Sequence, residues 1–104
     1  MDIKRELWDI GALIRSEKLM AAVRQEVKGV FGKKAMVVGG QYAEKHANNA
    51  SQYDVVIIHK AGDDKKEVEL IARRLKASMP DVEVQKLAGL VDNVIGIKQA
   101  RRVK

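Results

Sequence analysis

Clusters of lysine and arginine are the side chains of this chain with the clearest binding chemistry. The 104 residues include 20 Lys/Arg against 14 Asp/Glu, a formal net charge of +6. Such groups bind phosphates through charge, with little sequence specificity and with strong sensitivity to salt. The candidate positions for nucleic-acid binding are Arg73, Arg74, Lys76, Lys98, Arg101, Arg102 and Lys104, and a further basic group consists of Lys28, Lys33 and Lys34.

The basic surplus lies at the two ends of the chain. Residues 1–34 carry eight basic against five acidic side chains, residues 35–86 carry eight of each, and residues 87–104 carry four against Asp92 alone. This distribution is able to attract nucleic acid or an acidic protein partner. It is equally typical of a solubilising surface with a basic tail.

The histidines and the absence of cysteine exclude several kinds of chemistry. His46 and His59 are the only imidazoles, and no serine stands in the context of a hydrolase nucleophile. The two histidines lie thirteen positions apart without a third ligand, so they do not indicate a metal site. His59 is expected at a strand end, where ligands often bind, although a single histidine there is usually a surface residue. The lack of cysteine, of a secretory signal and of a membrane-length apolar run predicts a cytoplasmic protein.

A strand–glycine–acid pattern is the most specific motif of the chain. Val37-Val38-Gly39-Gly40 is followed, after thirteen residues, by Asp54-Val55-Val56-Ile57, and Val82-Glu83-Val84 comes later. This order resembles the signature of the nucleotidyltransferase superfamily, which includes DNA polymerase beta and the minimal nucleotidyltransferases. The resemblance covers about residues 17–86.

The resemblance implies a site where carboxylates hold two divalent cations and glycines admit a triphosphate. Asp54 and Glu83 would correspond to the first and third acids of the family, and Gly39 and Gly40 to its phosphate-binding glycines. The second acid is replaced by Val56, which cannot ligate Mg²⁺. The resemblance therefore predicts a degenerate, non-catalytic copy. No cofactor is expected, and Mg²⁺ would be required only by an active nucleotidyltransferase that uses Asp54 and Glu83.

Hydrophobic periodicity predicts the elements that position these residues. Apolar residues at helical spacing predict helices over 2–15 and 16–31, with a kink near Arg15-Ser16 because the two stripes are out of phase. A third helix is predicted from Asp64 to Met79, since Pro80 ends it. Strands are predicted over 35–38, 53–59, 81–84 and 94–97.

This order predicts an α/β (or α+β) fold with a small mixed sheet of three or four strands packed against about three helices. The strand–helix–strand unit after Tyr53 indicates a right-handed crossover between parallel strands. Residues 1–98 are expected to form a single domain with an N-terminal helical segment over 2–31, followed by a basic tail at 99–104.

Three functions follow from these observations. The leading prediction is a non-catalytic nucleotidyltransferase-like domain that acts by binding a macromolecule or by assembling with itself. The alternatives are a basic nucleic-acid-binding module and a divalent-metal-dependent nucleotidyltransferase. Possible partners are nucleic acid, an acidic protein or a second copy of the chain, and no membrane is expected.

Overall fold

The computed structural model describes residues 3–60, 64–89 and 92–99, and of residues 3–16 and 64 it describes only the backbone. Three helices and four strands occur in this part of the chain. In order they are α1 (Ile3–Val30), β1 (Ala35–Gly39), α2 (Gly40–Ala43), β2 (Val55–His59), α3 (Asp64–Ser78), β3 (Val82–Leu87) and β4 (Asn93–Gln99). Single 3₁₀ turns, Gly32–Lys34 and Ala50–Gln52, precede β1 and β2. The predicted α/β class, with four strands and about three helices, is confirmed.

The four strands form one antiparallel sheet in the order β1-β2-β4-β3. Strands β2 and β3 run in the same direction, as the predicted crossover requires, but they are not neighbours, because β4 lies between them and pairs antiparallel with both. The expected mixture of parallel and antiparallel pairs is therefore absent among the described strands. The apolar content of the strands explains this order. Val94 to Ile97 and the whole of β2 are buried, as central strands require, whereas β3 alternates buried and exposed residues and suits an edge.

Helices α1 and α3 cover one face of the sheet and enclose the larger part of the core. Their buried side chains meet inward-facing residues of the strands over this face. The fully buried members of this cluster are Leu19, Val23, Val27, Val55, Ile57, Ile71, Leu75, Val82, Ile95 and Ile97.

The opposite face is covered by α2 and the irregular segment that follows it. Ala43, Ala47 and Ala50 are fully buried there against the strands. The Tyr53 ring lies over Gly96, and its hydroxyl donates a hydrogen bond of 2.7 Å to Oε1 of Gln85. Small side chains allow this cover to lie close to the sheet.

Helix α1 is continuous over 28 residues, about 42 Å at 1.5 Å per residue. The kink or short break predicted near Arg15-Ser16 does not interrupt the helix. No glycine or proline stands at that point, and the residues that follow are good helix formers, so the change of hydrophobic phase does not interrupt the backbone. The helix ends as predicted before Gly32, which adopts a φ of 61°.

Strand β4 extends one residue into the segment that was predicted to be a basic tail. Strand β4 includes Gln99, which was assigned to the basic tail, and α3 ends at Ser78, before Pro80, as predicted. The predicted tail residues Arg101, Arg102 and Lys104 lie outside the described residues.

Candidate anion-binding groove

The two acids expected to form a metal site lie on strands that are not neighbours. Asp54 immediately precedes β2 and Glu83 belongs to β3, and β4 separates these strands. Two strand spacings separate the backbones of these residues by about 9.5 Å, whereas neighbouring strands would place them about 4.8 Å apart. The expectation that adjacent strands bring Asp54 and Glu83 together is therefore wrong.

Lys98 occupies the place between these acids. It pairs directly with Glu83 in the β3–β4 register, and continuation of the β2–β4 register places it opposite Asp54. Asp54 also has a backbone role, because its Oδ2 accepts a hydrogen bond of 3.0 Å from the Gln99 N–H. The Asp54 N–H donates to the Ile97 carbonyl, also at 3.0 Å. A basic residue at the register position between the two acids opposes the binding of a divalent cation there.

The glycine pair lies at the turn from β1 to α2, but its second member is enclosed by the chain itself. A Cβ on Gly40 would stand 2.0 Å from the Tyr53 carbonyl oxygen and 2.4 Å from that of Ala50. Gly40 therefore accommodates the protein's own backbone and leaves no space there for a phosphate. Gly39 is less restricted, since the nearest atom to its ideal Cβ is Cδ2 of Tyr42 at 3.7 Å.

A groove with a basic rim opens at the other end of β1, away from the glycines. It has a volume of about 200 Å³. We call it the anion groove, and its lining residues are Lys33, Lys34, Ala35, Met36, His46, Ile58, His59, Lys60 and Asp92. Among the described residues, no acidic side chain forms a salt bridge with Lys33, Lys34 or Lys60.

The antiparallel pairing of β1 with β2 brings the lysines together. Ala35 lies opposite His59, so the preceding residue, Lys34, and the following residue, Lys60, adjoin each other beyond the end of the ladder. Lys33 belongs to the 3₁₀ turn that connects α1 to β1. All three lysines are exposed, and Asp92 is the only acidic one among the described residues that line the groove.

The two histidines contribute to the groove in different ways. His46 is half-buried in the segment after α2, where its N–H donates to the Ala43 carbonyl at 2.8 Å. His59 is only 1% exposed, and its ring stacks on Phe31 with centroids 4.3 Å apart. The prediction that His59 is a surface residue is therefore wrong, because its side chain points towards the helix-covered face.

The predicted nucleic-acid-binding residues are not gathered in one place. Arg73, Arg74 and Lys76 are exposed on α3, and Nη1 of Arg74 lies 3.5 Å from Oε2 of Glu26. Lys98 is exposed near the end of β4, whereas the groove lies near the beginning of that strand. The other three candidates, in the tail, are outside the described residues.

Sequence reasoning singled out Lys33 and Lys34 but missed Lys60 and His46 as members of one site. The only available signal for Lys60 was its position directly after a strand. That Lys34 lies opposite Lys60 follows only from the register of β1 with β2, which the sequence does not show.

No three His, Asp or Glu side chains in the described ranges are grouped so that they could hold a metal ion. None of the described helices is long and apolar enough to cross a membrane. Comparisons of the chain with models of protein families, with curated proteins and with solved structures found no significant match.

Proposed function

We propose that this protein is a binding module for nucleic acid that holds a phosphate of its ligand in the anion groove. The observation that carries the proposal is the position of Lys34 beside Lys60 across the end of the β1–β2 ladder. Like charges directly opposite each other on two strands destabilise a sheet. A bound phosphate offsets this repulsion because it attracts both ammonium groups.

The size of the groove favours one group of a large ligand over a complete small molecule. Sites for small molecules and cofactors have volumes of about 300–1,000 Å³, and the groove has about 200 Å³. A phosphate fits into this space, whereas the sugar and base of a nucleotide extend beyond it. The groove size therefore favours a polymeric ligand that places one phosphate in the groove and its remaining nucleotides on the protein surface.

The charge of the whole chain supports the same ligand class. A net charge of +6 creates a positive field that attracts polyanions and accelerates their association. The groove adds a defined place where three lysines converge. Catalysis is not part of the proposal, because Asp54 and Glu83 lie on separated strands.

The sequence also predicts three properties that this proposal does not require. These are the nucleotidyltransferase resemblance, assembly with a second copy and a cytoplasmic location. An acidic protein is the competing partner, since carboxylates are also attracted to lysines. A backbone phosphodiester carries one negative charge, as a carboxylate does, but in nucleic acid these charges recur at every nucleotide, so a strand brings several of them to a site with three lysines.

The test is fluorescence anisotropy with labelled oligonucleotides of about twelve residues, a length within known site sizes for single strands. Affinity is measured between roughly 50 and 200 mM salt for the wild type and for the triple variant Lys33→Gln, Lys34→Gln, Lys60→Gln. We expect the triple variant to bind more weakly. The slope of log K against log salt should be less steep by about 1, the change that corresponds to one neutralised phosphate.

A second triple variant, Lys18→Gln, Arg73→Gln, Lys76→Gln, is the matched control. It removes the same charge from exposed helical positions away from the groove. We expect a smaller loss of affinity from this control. Equal losses in the two triple variants, or binding to polyglutamate but to no oligonucleotide, would overturn the proposal.

A further inference from the structure

Tyr42 is the most exposed large hydrophobic side chain among the described residues. It is 78% exposed, and Met36 at 50% is the other prominent case. Its backbone is nevertheless firmly placed, because Gly40 and Ala43 on either side of it in α2 are buried. The fold thus presents an aromatic ring to solvent from a fixed position.

Tyr42 and the anion groove lie at opposite ends of the same edge strand. Cδ2 of Tyr42 lies 3.7 Å from the ideal Cβ position of Gly39, the last residue of β1. Lys34 directly precedes the first residue of β1 and lines the groove. From Lys34 to Gly39 the chain advances about 17 Å at 3.4 Å per residue. The exposed side chain of Met36 lies between these ends.

An aromatic ring at this distance from a phosphate site distinguishes single strands from duplexes. Every base of a single strand has a face that can stack on an aromatic side chain, and stacking tolerates any sequence. In a duplex the faces are covered by neighbouring base pairs, so a surface aromatic ring cannot stack on them. A single-stranded nucleic acid that lies along β1 is able to contact both the lysines of the anion groove and the ring of Tyr42.

We infer that the ligand is single-stranded nucleic acid. A base of this ligand stacks on Tyr42, while a phosphate several nucleotides further along the same ligand lies in the anion groove. This inference rests on the proposed function. It assigns to Tyr42 a direct contact with the ligand and explains why a large ring is exposed at the end of β1 opposite the anion groove.

The experiment compares single-stranded and double-stranded oligonucleotides of equal length, with thymidylate and uridylate strands representing DNA and RNA. Wild-type protein is expected to bind single strands more tightly than duplexes. Tyr42→Ala should weaken single-strand binding by about 5- to 150-fold, the range for loss of one stacked base. It should leave duplex affinity and the salt slope unchanged, and Tyr42→Phe should retain wild-type affinity because the ring is kept.

Gln41→Ala is the matched control, since Gln41 is the exposed neighbour of Tyr42 in the same helix. Circular dichroism verifies that each variant is folded. If Tyr42→Ala binds single strands as the wild type does, or if Tyr42→Phe loses as much affinity as Tyr42→Ala, the stacking contact is refuted. The proposed function fails in a different way, namely if no oligonucleotide binds or if the lysine variants change nothing.

Discussion

Alanine substitution of the two adjacent glycines should have opposite effects on stability. A Cβ on Gly40 would overlap two backbone carbonyl oxygens, those of Tyr53 at 2.0 Å and Ala50 at 2.4 Å. Both distances are far below van der Waals contact, and neither oxygen belongs to a flexible side chain. The segment that enters β2 would therefore have to move.

The magnitude follows from the cost of overpacking. Forced insertions of a methyl-sized group cost about 1–3 kcal/mol, and a rigid backbone neighbour places Gly40→Ala at the upper end, near 3 kcal/mol. For a domain of this size, about 3 kcal/mol lowers the melting temperature by roughly 12–24 °C. Gly39→Ala differs because its φ of −70° and ψ of 154° suit any residue. It should be neutral or stabilising by up to about 1 kcal/mol, since alanine restricts the unfolded chain.

Thermal and urea unfolding monitored by circular dichroism measure both variants beside the wild type. If Gly40→Ala is as stable as Gly39→Ala, the enclosed position of Gly40 is incorrect. A phosphate-binding role for the glycine pair makes a different prediction. In that case both substitutions would impair ligand binding, while stability need not separate them.

Two further substitutions test contacts elsewhere in the fold. Gly96→Ala should destabilise the protein by about 1–3 kcal/mol in urea unfolding, because its Cβ would stand 2.6 Å from the Tyr53 ring and displace it. An unchanged unfolding midpoint would show that the Tyr53 ring does not lie over Gly96. A double-mutant cycle on Glu26 and Arg74 should give a coupling of at most about 1 kcal/mol, since these side chains are 28% and 44% exposed and solvent screens the pair. A coupling above about 2 kcal/mol would contradict this assignment as a surface contact.

The sequence was sufficient for the elements but not for their arrangement. The β-branched run of β2, the stop at Gly32 and the break at Pro80 are local signals, and each element they predicted is present. Strand order depends on which edges meet in space. The strand–helix–strand pattern predicts that β2 and β3 run in the same direction, but it does not show whether they are neighbours, and β4 is inserted between them here. The kink predicted in α1 failed because hydrophobic phase is a weaker determinant than backbone hydrogen bonding.

The candidate site was predictable in part for a similar reason. Lys33 and Lys34 form a visible pair in the sequence, while Lys60 reaches them only through the register of β1 with β2. Pairing registers arise from long-range contacts that one sequence does not display. Asp54 and Glu83 illustrate the opposite error, since a plausible spacing along the chain suggested a closeness that β4 prevents.

The alanines that cover the sheet face opposite α1 and α3 have a consequence for how the protein moves. Each buried methyl contributes only about 0.8 kcal/mol, compared with about 1.5–3 kcal/mol for a buried leucine or isoleucine. We therefore expect the layer that includes Ala43, Ala47 and Ala50 to be attached less strongly than α3 and to open before it in local unfolding. His46 belongs to this layer and forms one wall of the groove, so a ligand that contacts both sides of the groove would hold the layer closed.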